Sequence, residues 1–179
     1  MIDAARSTAP ATVIAVGDSP SGIAVSPDGT RLYVANSKSS SISVIDTARP
    51  TETPLTIAVG SGPFNVAASP AGNRVYVSNS ESESVSVIDT ARIYEEPSVI
   101  AKGNGRPGDV AVSADGARLY VTYSESENVS VFDTARPTAP PYTIAVRAKP
   151  LRLAASPKST GHVYVTHGQS NDFSVIDMG

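Results

Sequence analysis

Residues Ile23 to Asp46 read IAVSPDGTRLYVANSKSSSISVID. The pattern returns as VAASPAGNRVYVSNSESESVSVID from Val66, VAVSADGARLYVTYSESENVSVFD from Val110 and LAASPKSTGHVYVTHGQSNDFSVID from Leu153. The tyrosines Tyr33, Tyr76, Tyr120 and Tyr164 are spaced 43, 44 and 44 residues apart, and the aspartates Asp46, Asp89, Asp133 and Asp177 keep step with them. A fixed period of this size marks a solenoid or a propeller.

Within one unit the pattern reads as short strands. Ile23 to Ser26 forms strand A, and Ser-Pro-Asp-Gly is a turn in which proline sets φ, aspartate bonds nearby backbone and glycine takes positive φ. Arg31 to Asn36 alternates at period 2 as strand B, and a polar hairpin leads into strand C, Ile42 to Asp46. A β-branched run supplies strand D: Thr12 to Val16, Leu55 to Val59, Ser98 to Ala101 and Tyr142 to Val146. Four short antiparallel strands per unit, with no helical periodicity, describe the blades of an all-β propeller.

The expectation is one domain over residues 1–179, with blades near 20–60, 63–101, 107–146 and 150–179 and an N-terminal strand at 12–16. Ile2-Asp3-Ala4-Ala5-Arg6 echoes Ile45-Asp46-Thr47-Ala48-Arg49 in phase, so the chain opens on a D strand and its last unit supplies only A, B and C. Thr12 to Val16 is therefore expected to complete the last blade. It would do so within one chain, closing four blades, or between two chains in a homodimer, closing eight. A fragment of a larger ring is the third arrangement.

Composition removes several functions. A net charge of −3 argues against a generic polyanion binder or an anionic membrane surface. No cysteine is present, so neither a disulfide framework nor a thiolate metal site is available. No apolar run approaches a spanning helix, and the N-terminus lacks the basic start and apolar core of a secretory signal, so no membrane insertion is expected and any export signal is expected outside this chain.

Tyr33-Val34-Ala35-Asn36, Tyr76-Val77-Ser78-Asn79, Tyr120-Val121-Thr122-Tyr123 and Tyr164-Val165-Thr166-His167, with the SPDG turns and VSVID strands, resemble the YVTN-type β-propeller repeats of bacteria and archaea. The last two units replace the terminal asparagine by Tyr123 and His167. The resemblance implies a propeller that commonly has seven blades. It also implies a surface-layer or cell-surface module outside the cytoplasm, a ligand-binding scaffold, or a lactonase or lyase.

The candidate site follows from one variable position. Gly22, Asn65, Asp109 and Arg152 each stand second after the turn proline, amid repeated alanines and serines, at the mouth of the propeller channel. Asn65, Asp109 and Arg152, joined by Tyr123 and His167, are the expected ligand contacts; the plainer alternative is that Asp109 and Arg152 pair with each other. Lys102, Arg106, Arg147 and Lys149 make the nearby turns basic, and Glu81, Glu83, Glu125 and Glu127 are expected on the same face. Phe64 and Tyr123 are the only aromatics placed to stack on bases, so nucleic acid is disfavoured.

The repeated aspartates of Asp-Thr-Ala-Arg read as turn caps. His162 and His167 fall on opposite faces of one strand and have no partners with metal-ligand spacing, so neither a metal nor a cofactor is expected. No nucleophile motif stands out among the serines. The expected function is thus a non-enzymatic module that contacts a protein or a small anionic ligand, with a lactonase- or lyase-like enzyme second and a structural surface-layer element third.

Overall fold

The computed structural model describes residues 12–100, 105–147, 149–157 and 161–179. Fifteen strands and one 3-10 turn form four antiparallel sheets in chain order, without an α-helix among the described residues. Blade 1 comprises β1 Pro20–Val25, β2 Arg31–Asn36, β3 Ser41–Asp46 and β4 Leu55–Ala58. Blade 2 comprises β5 Pro63–Ala68, β6 Arg74–Asn79, β7 Ser84–Asp89 and β8 Ser98–Ile100. Blade 3 comprises β9 Pro107–Val112, β10 Arg118–Tyr123, β11 Asn128–Asp133 and β12 Tyr142–Ala145. Blade 4 has three strands, β13 Pro150–Ala155, β14 His162–His167 and β15 Phe173–Asp177.

Each blade is a meander in which neighbours in sequence are neighbours in the sheet. The SPDG expectation holds: Gly29 and Gly72 adopt φ of 73° and 70°, and Asp28 accepts the Thr30 amide at 3.1 Å. Aspartates at the end of strand C act as caps. Asp46, Asp89 and Asp133 accept the amides of Ala48, Ala91 and Ala135 at 2.9, 3.0 and 2.9 Å. Their second oxygens face the arginine three residues on.

The core lies between blades. Side chains alternate across each strand, so a blade has one face toward the preceding blade and one toward the next. Tyr33, Ile42 and Val44 of blade 1 pack on Val66, Val75, Val77 and Ile88 of blade 2. Tyr76, Val85 and Val87 meet Val110, Leu119, Val121 and Phe132, and Tyr120, Val129 and Val131 meet Leu153, Val163, Val165 and Ile176. An arginine clamps each junction from strand B: Arg31 donates to the Thr90 carbonyl at 3.3 Å, Arg74 to Thr134, and Arg118 to Met178 at 3.1 Å.

Among the described residues, the expected completion of blade 4 by the N-terminal strand is not observed. Thr12 to Val16 is not a strand, and β15 pairs only with β14, which leaves blade 4 three-stranded. The segment nevertheless sits on blade 1 as β4 sits on blade 2. Gly17 approaches Asn36 and Ser39 as Gly60 approaches Asn79 and Ser82. The segment thus takes a D-strand position without strand structure, and no C strand lies beside it among the described residues. Ala101 of the expected blade 2 D strand falls outside the described residues.

Two measurements test this packing. Leu119→Ala empties a fully buried site between blades 2 and 3 and is expected to cost about 2–5 kcal/mol in urea unfolding. Half-exposed Leu151→Ala should stay within about 0.5 kcal/mol. The caps predict acid sensitivity. Backbone amides, then the arginine partners, hold Asp46, Asp89 and Asp133 below the ordinary aspartate value of 3.8. Their stabilisation is present above that value and is lost as pH falls through the lowered ones. The melting temperature should fall in that window, and less steeply in a D46N/D89N/D133N variant.

Candidate functional site

Every innermost strand carries a register shift just after its first residues: between Pro20 and Ile23, Pro63 and Asn65, the Pro107 and Val110 region, and Pro150 and Arg152. A bulge turns its side chain out of the regular alternation. The shift therefore directs the second residue after each turn proline along the inner ring toward the neighbouring blade. β1 packs on β5, β5 on β9 and β9 on β13, which brings these positions into a row.

At Gly22 the row begins without a side chain, since a Cβ there would stand 2.5 Å from the Asn65 Cα. Asn65 Nδ2 donates to Asp109 Oδ1 across the junction of blades 2 and 3. The same oxygen accepts the Val110 amide at 3.1 Å, and Oδ2 accepts the Leu153 amide of blade 4 at 2.8 Å. Asp109 thus ties three blades together. Burial pushes its carboxyl above the ordinary aspartate value, against the Leu153 amide, the Arg152 charge and the Val110 amide. A raised carboxyl value favours the fold at low pH, and that contribution fades as pH rises through the folded-state value.

Arg152 is exposed and lies over the Phe64 ring, 4.8 Å from guanidinium carbon to ring centroid. The contact skips a blade: Phe64 belongs to blade 2 and Arg152 to blade 4. Gly108, the residue of blade 3 equivalent to Phe64, has no side chain to stand between them. The expected direct pairing of Asp109 with Arg152 is replaced by these separate engagements, and Arg152 acts on Asp109 through its charge alone. Among the expected contacts, Asn65, Asp109 and Arg152 are brought together.

Tyr123 and His167 do not join them. Both are buried, and both fill the slot of the repeat asparagine. Asn36 and Asn79 donate to Ser43 and Ser86 at 3.0 and 2.9 Å. The Tyr123 hydroxyl bonds Ser130, and His167 Nε2 lies 2.9 Å from Ser174 Oγ. One polar bond from the end of strand B to the middle of strand C therefore recurs in every blade with three different side chains. Tyr123 belongs to the core between blades 2 and 3, where burial pushes its hydroxyl up to about 12. Both are thus buried in the slot of the repeat asparagine and are not brought together with Asn65, Asp109 and Arg152.

Hairpins and D–A turns do share a face, since the Glu81 amide donates to the Ser61 carbonyl and the Gly168 amide to the Lys149 carbonyl. Arg106 and Lys149 are exposed, Arg147 pairs with Asp172 at 3.5 Å, and Lys102 lies outside the described residues. No group of three or more potential metal-ligating side chains occurs among the described residues.

The comparisons with known proteins agree with the architecture. A family model described as "Lactonase, 7-bladed beta-propeller" matches residues 4–94. No curated protein matches the chain. Kuenenia stuttgartiensis hydrazine synthase resembles it with a TM-score of 0.78 and 30% identity, over 93% of this chain and 48% of that one. The Cps50 (Swd1) β-propeller domain of Myceliophteria thermophila gives a TM-score of 0.74 at 12% identity, over 89% and 54% of the two chains. U3-55K gives 0.71 at 15%, over 91% and 53%. The last two support the fold alone, and the chain spans about half the length of each of these structures.

The strand-end slot is open to test. His167→Asn restores the repeat residue and should leave stability within about 1 kcal/mol, whereas His167→Ala removes a buried bond and should cost about 1–3 kcal/mol. Denaturant melts of the two variants decide it, and equal losses would contradict the structural role.

Proposed function

The chain belongs to the lactonase family of seven-bladed β-propellers, and from that premise we propose that it is a rigid binding module whose inner mouth receives a carboxylate-bearing ligand. The observation that carries this is Arg152, an exposed guanidinium held over the Phe64 ring. The ring holds the charged group at the mouth while its exposure leaves N–H donors for an incoming anion, and a guanidinium fork matches a carboxylate in two parallel hydrogen bonds. Asp109 supports the site rather than competing in it, because its oxygens are occupied by Asn65 and two backbone amides. Asn65 and Asp109 thus position the inner strands, while Arg152 and Phe64 meet the ligand.

A lactone-hydrolysing role is the second reading, and the family match favours it. The matched residues 4–94 include Phe64 and Asn65 but neither Asp109 nor Arg152. Under that reading Asp109, with its raised carboxyl, is the general acid or base.

Calorimetric titration of citrate as a carboxylate probe tests the first reading. Arg152→Ala should weaken binding by about 1.5–3 kcal/mol, roughly tenfold or more. Phe64→Ala should weaken it by about 0.5–1 kcal/mol. Equal affinity of wild type and R152A would contradict the proposal. Lactone turnover that vanishes in Asp109→Asn but survives in R152A would favour the second reading instead.

A further inference from the structure

The connection between the third and fourth strands of blade 2 breaks the repeat. Blades 1 and 3 carry Arg49-Pro50-Thr51 and Arg136-Pro137-Thr138 after the cap, and blade 2 carries Arg92-Ile93-Tyr94 in the same place. Ile93 is buried and enters the core between blades 1 and 2 with Ile57 and Ile88. Asp89 caps the 3-10 turn Thr90–Arg92, and Arg92 lies 3.2 Å from the Asp89 carboxylate and 3.5 Å from that of Glu95. Tyr94 thus sits on a fastened loop, and it is 88% exposed. A ring so placed adds nothing to the core and presents its faces to a partner.

Tyr94 borders a groove of about 490 Å³ at the outer rim of this junction, away from the inner mouth. One wall is the side of β4 that faces blade 2, with Leu55 and Ile57. The other is Val99 of β8, which is 56% exposed although its cross-strand neighbour Ser86 is buried. All of Leu55 to Gly60 line the groove, and β4 bonds only to β3, so its second backbone edge is left unpaired. An open strand edge is a template for another strand. Glu95 and Glu96 are the only charged residues on the lining. Glu96 makes no ion pair among the described residues.

Ring and carboxylates select the same ligand, since an aromatic face and a negative charge both attract a cation and both disfavour an anion. The groove on the other side of Tyr94, of about 480 Å³, lacks this bias, because Arg31 and Arg49 stand there with Asp46 and Glu52. We propose that the rim groove receives an extended, lysine- or arginine-bearing segment of a partner protein. The segment bonds the open edge of β4 through its backbone, and its apolar side chains lie along Ile57 and Val99. Its cation rests between the Tyr94 ring and the carboxylates of Glu95 and Glu96. Charge complementarity and the unpaired edge together decide the occupant: the first calls for a cation and the second for a chain.

Fluorescence anisotropy of a fluorescein-labelled Val-Lys-Val-Lys-Val peptide, titrated with the full chain, tests the proposal. Saturable binding is expected. Tyr94→Ala should weaken it about two- to fivefold. The double variant Glu95→Gln/Glu96→Gln should weaken it about three- to tenfold at low salt, and less as salt is added. These side chains are exposed, so the variants should melt with wild type by circular dichroism. Tyr142→Ala removes another exposed tyrosine and should leave binding unchanged. Four results would overturn the proposal: no saturable binding, equal binding of Val-Glu-Val-Glu-Val, a loss in Y142A as large as in Y94A, or competition by n-butylammonium as strong as that of the unlabelled peptide.

Discussion

Face-to-face packing of one blade on the next is the constraint on which everything else in this chain depends. A four-stranded antiparallel sheet of this size has two apolar faces and cannot stand alone. The sequence answers with a tyrosine and aliphatic residues on each outgoing face and with valine, leucine, isoleucine and, in blade 3, Phe132 on the incoming one. Loops carry little of this load. They are held by local bonds, such as the serine hydroxyls Ser26, Ser69 and Ser113, which accept the amides of Arg31, Arg74 and Arg118 at 2.9, 3.0 and 2.9 Å.

The mouth is a consequence of that packing. Inner strands of successive blades approach closely enough that Gly22 has no room for a side chain and Asn65 reaches Asp109. The bulges then set which side chains face the row. Because Asp109 bonds to a residue of blade 2 and an amide of blade 4, the geometry of Arg152 is fixed by three blades at once. A site assembled in this way resists small displacements and loses its shape if one junction is opened. The geometry of the mouth and the integrity of the arc are therefore coupled through Asp109.

Much of the fold was legible because the repeat compares itself. Strand B was expected over Arg31 to Asn36 and is observed over those residues, since period-2 alternation and the SPDG turn bound it on both sides. Asn65, Asp109 and Arg152 were legible as variable positions amid repeated small residues. Thr12 to Val16 misled because a β-branched run reports strand propensity, whereas strand formation also needs a neighbouring edge to bond. Tyr123 and His167 misled for a related reason: their replacement of asparagine looked like functional variation, yet each keeps the bond to its strand C serine. The Arg152–Phe64 contact was hidden by its distance in sequence, although Gly108 between them was a signal that the path was clear. The junction arginines were also readable, as one arginine two residues before each tyrosine in three of the four units.

Under the proposed function, recognition resides in the Arg152 guanidinium held over Phe64 at the inner mouth. Nitrogen-15 NMR of the full chain, titrated with citrate, measures this directly. The account predicts that the Arg152 Nε–H and the Leu153 amide shift together and saturate at one affinity, while the amides of Tyr123 and His167 stay in place. Shifts centred on the Glu81 and Glu125 hairpins or on Tyr123 and His167, with Arg152 unmoved, would contradict it.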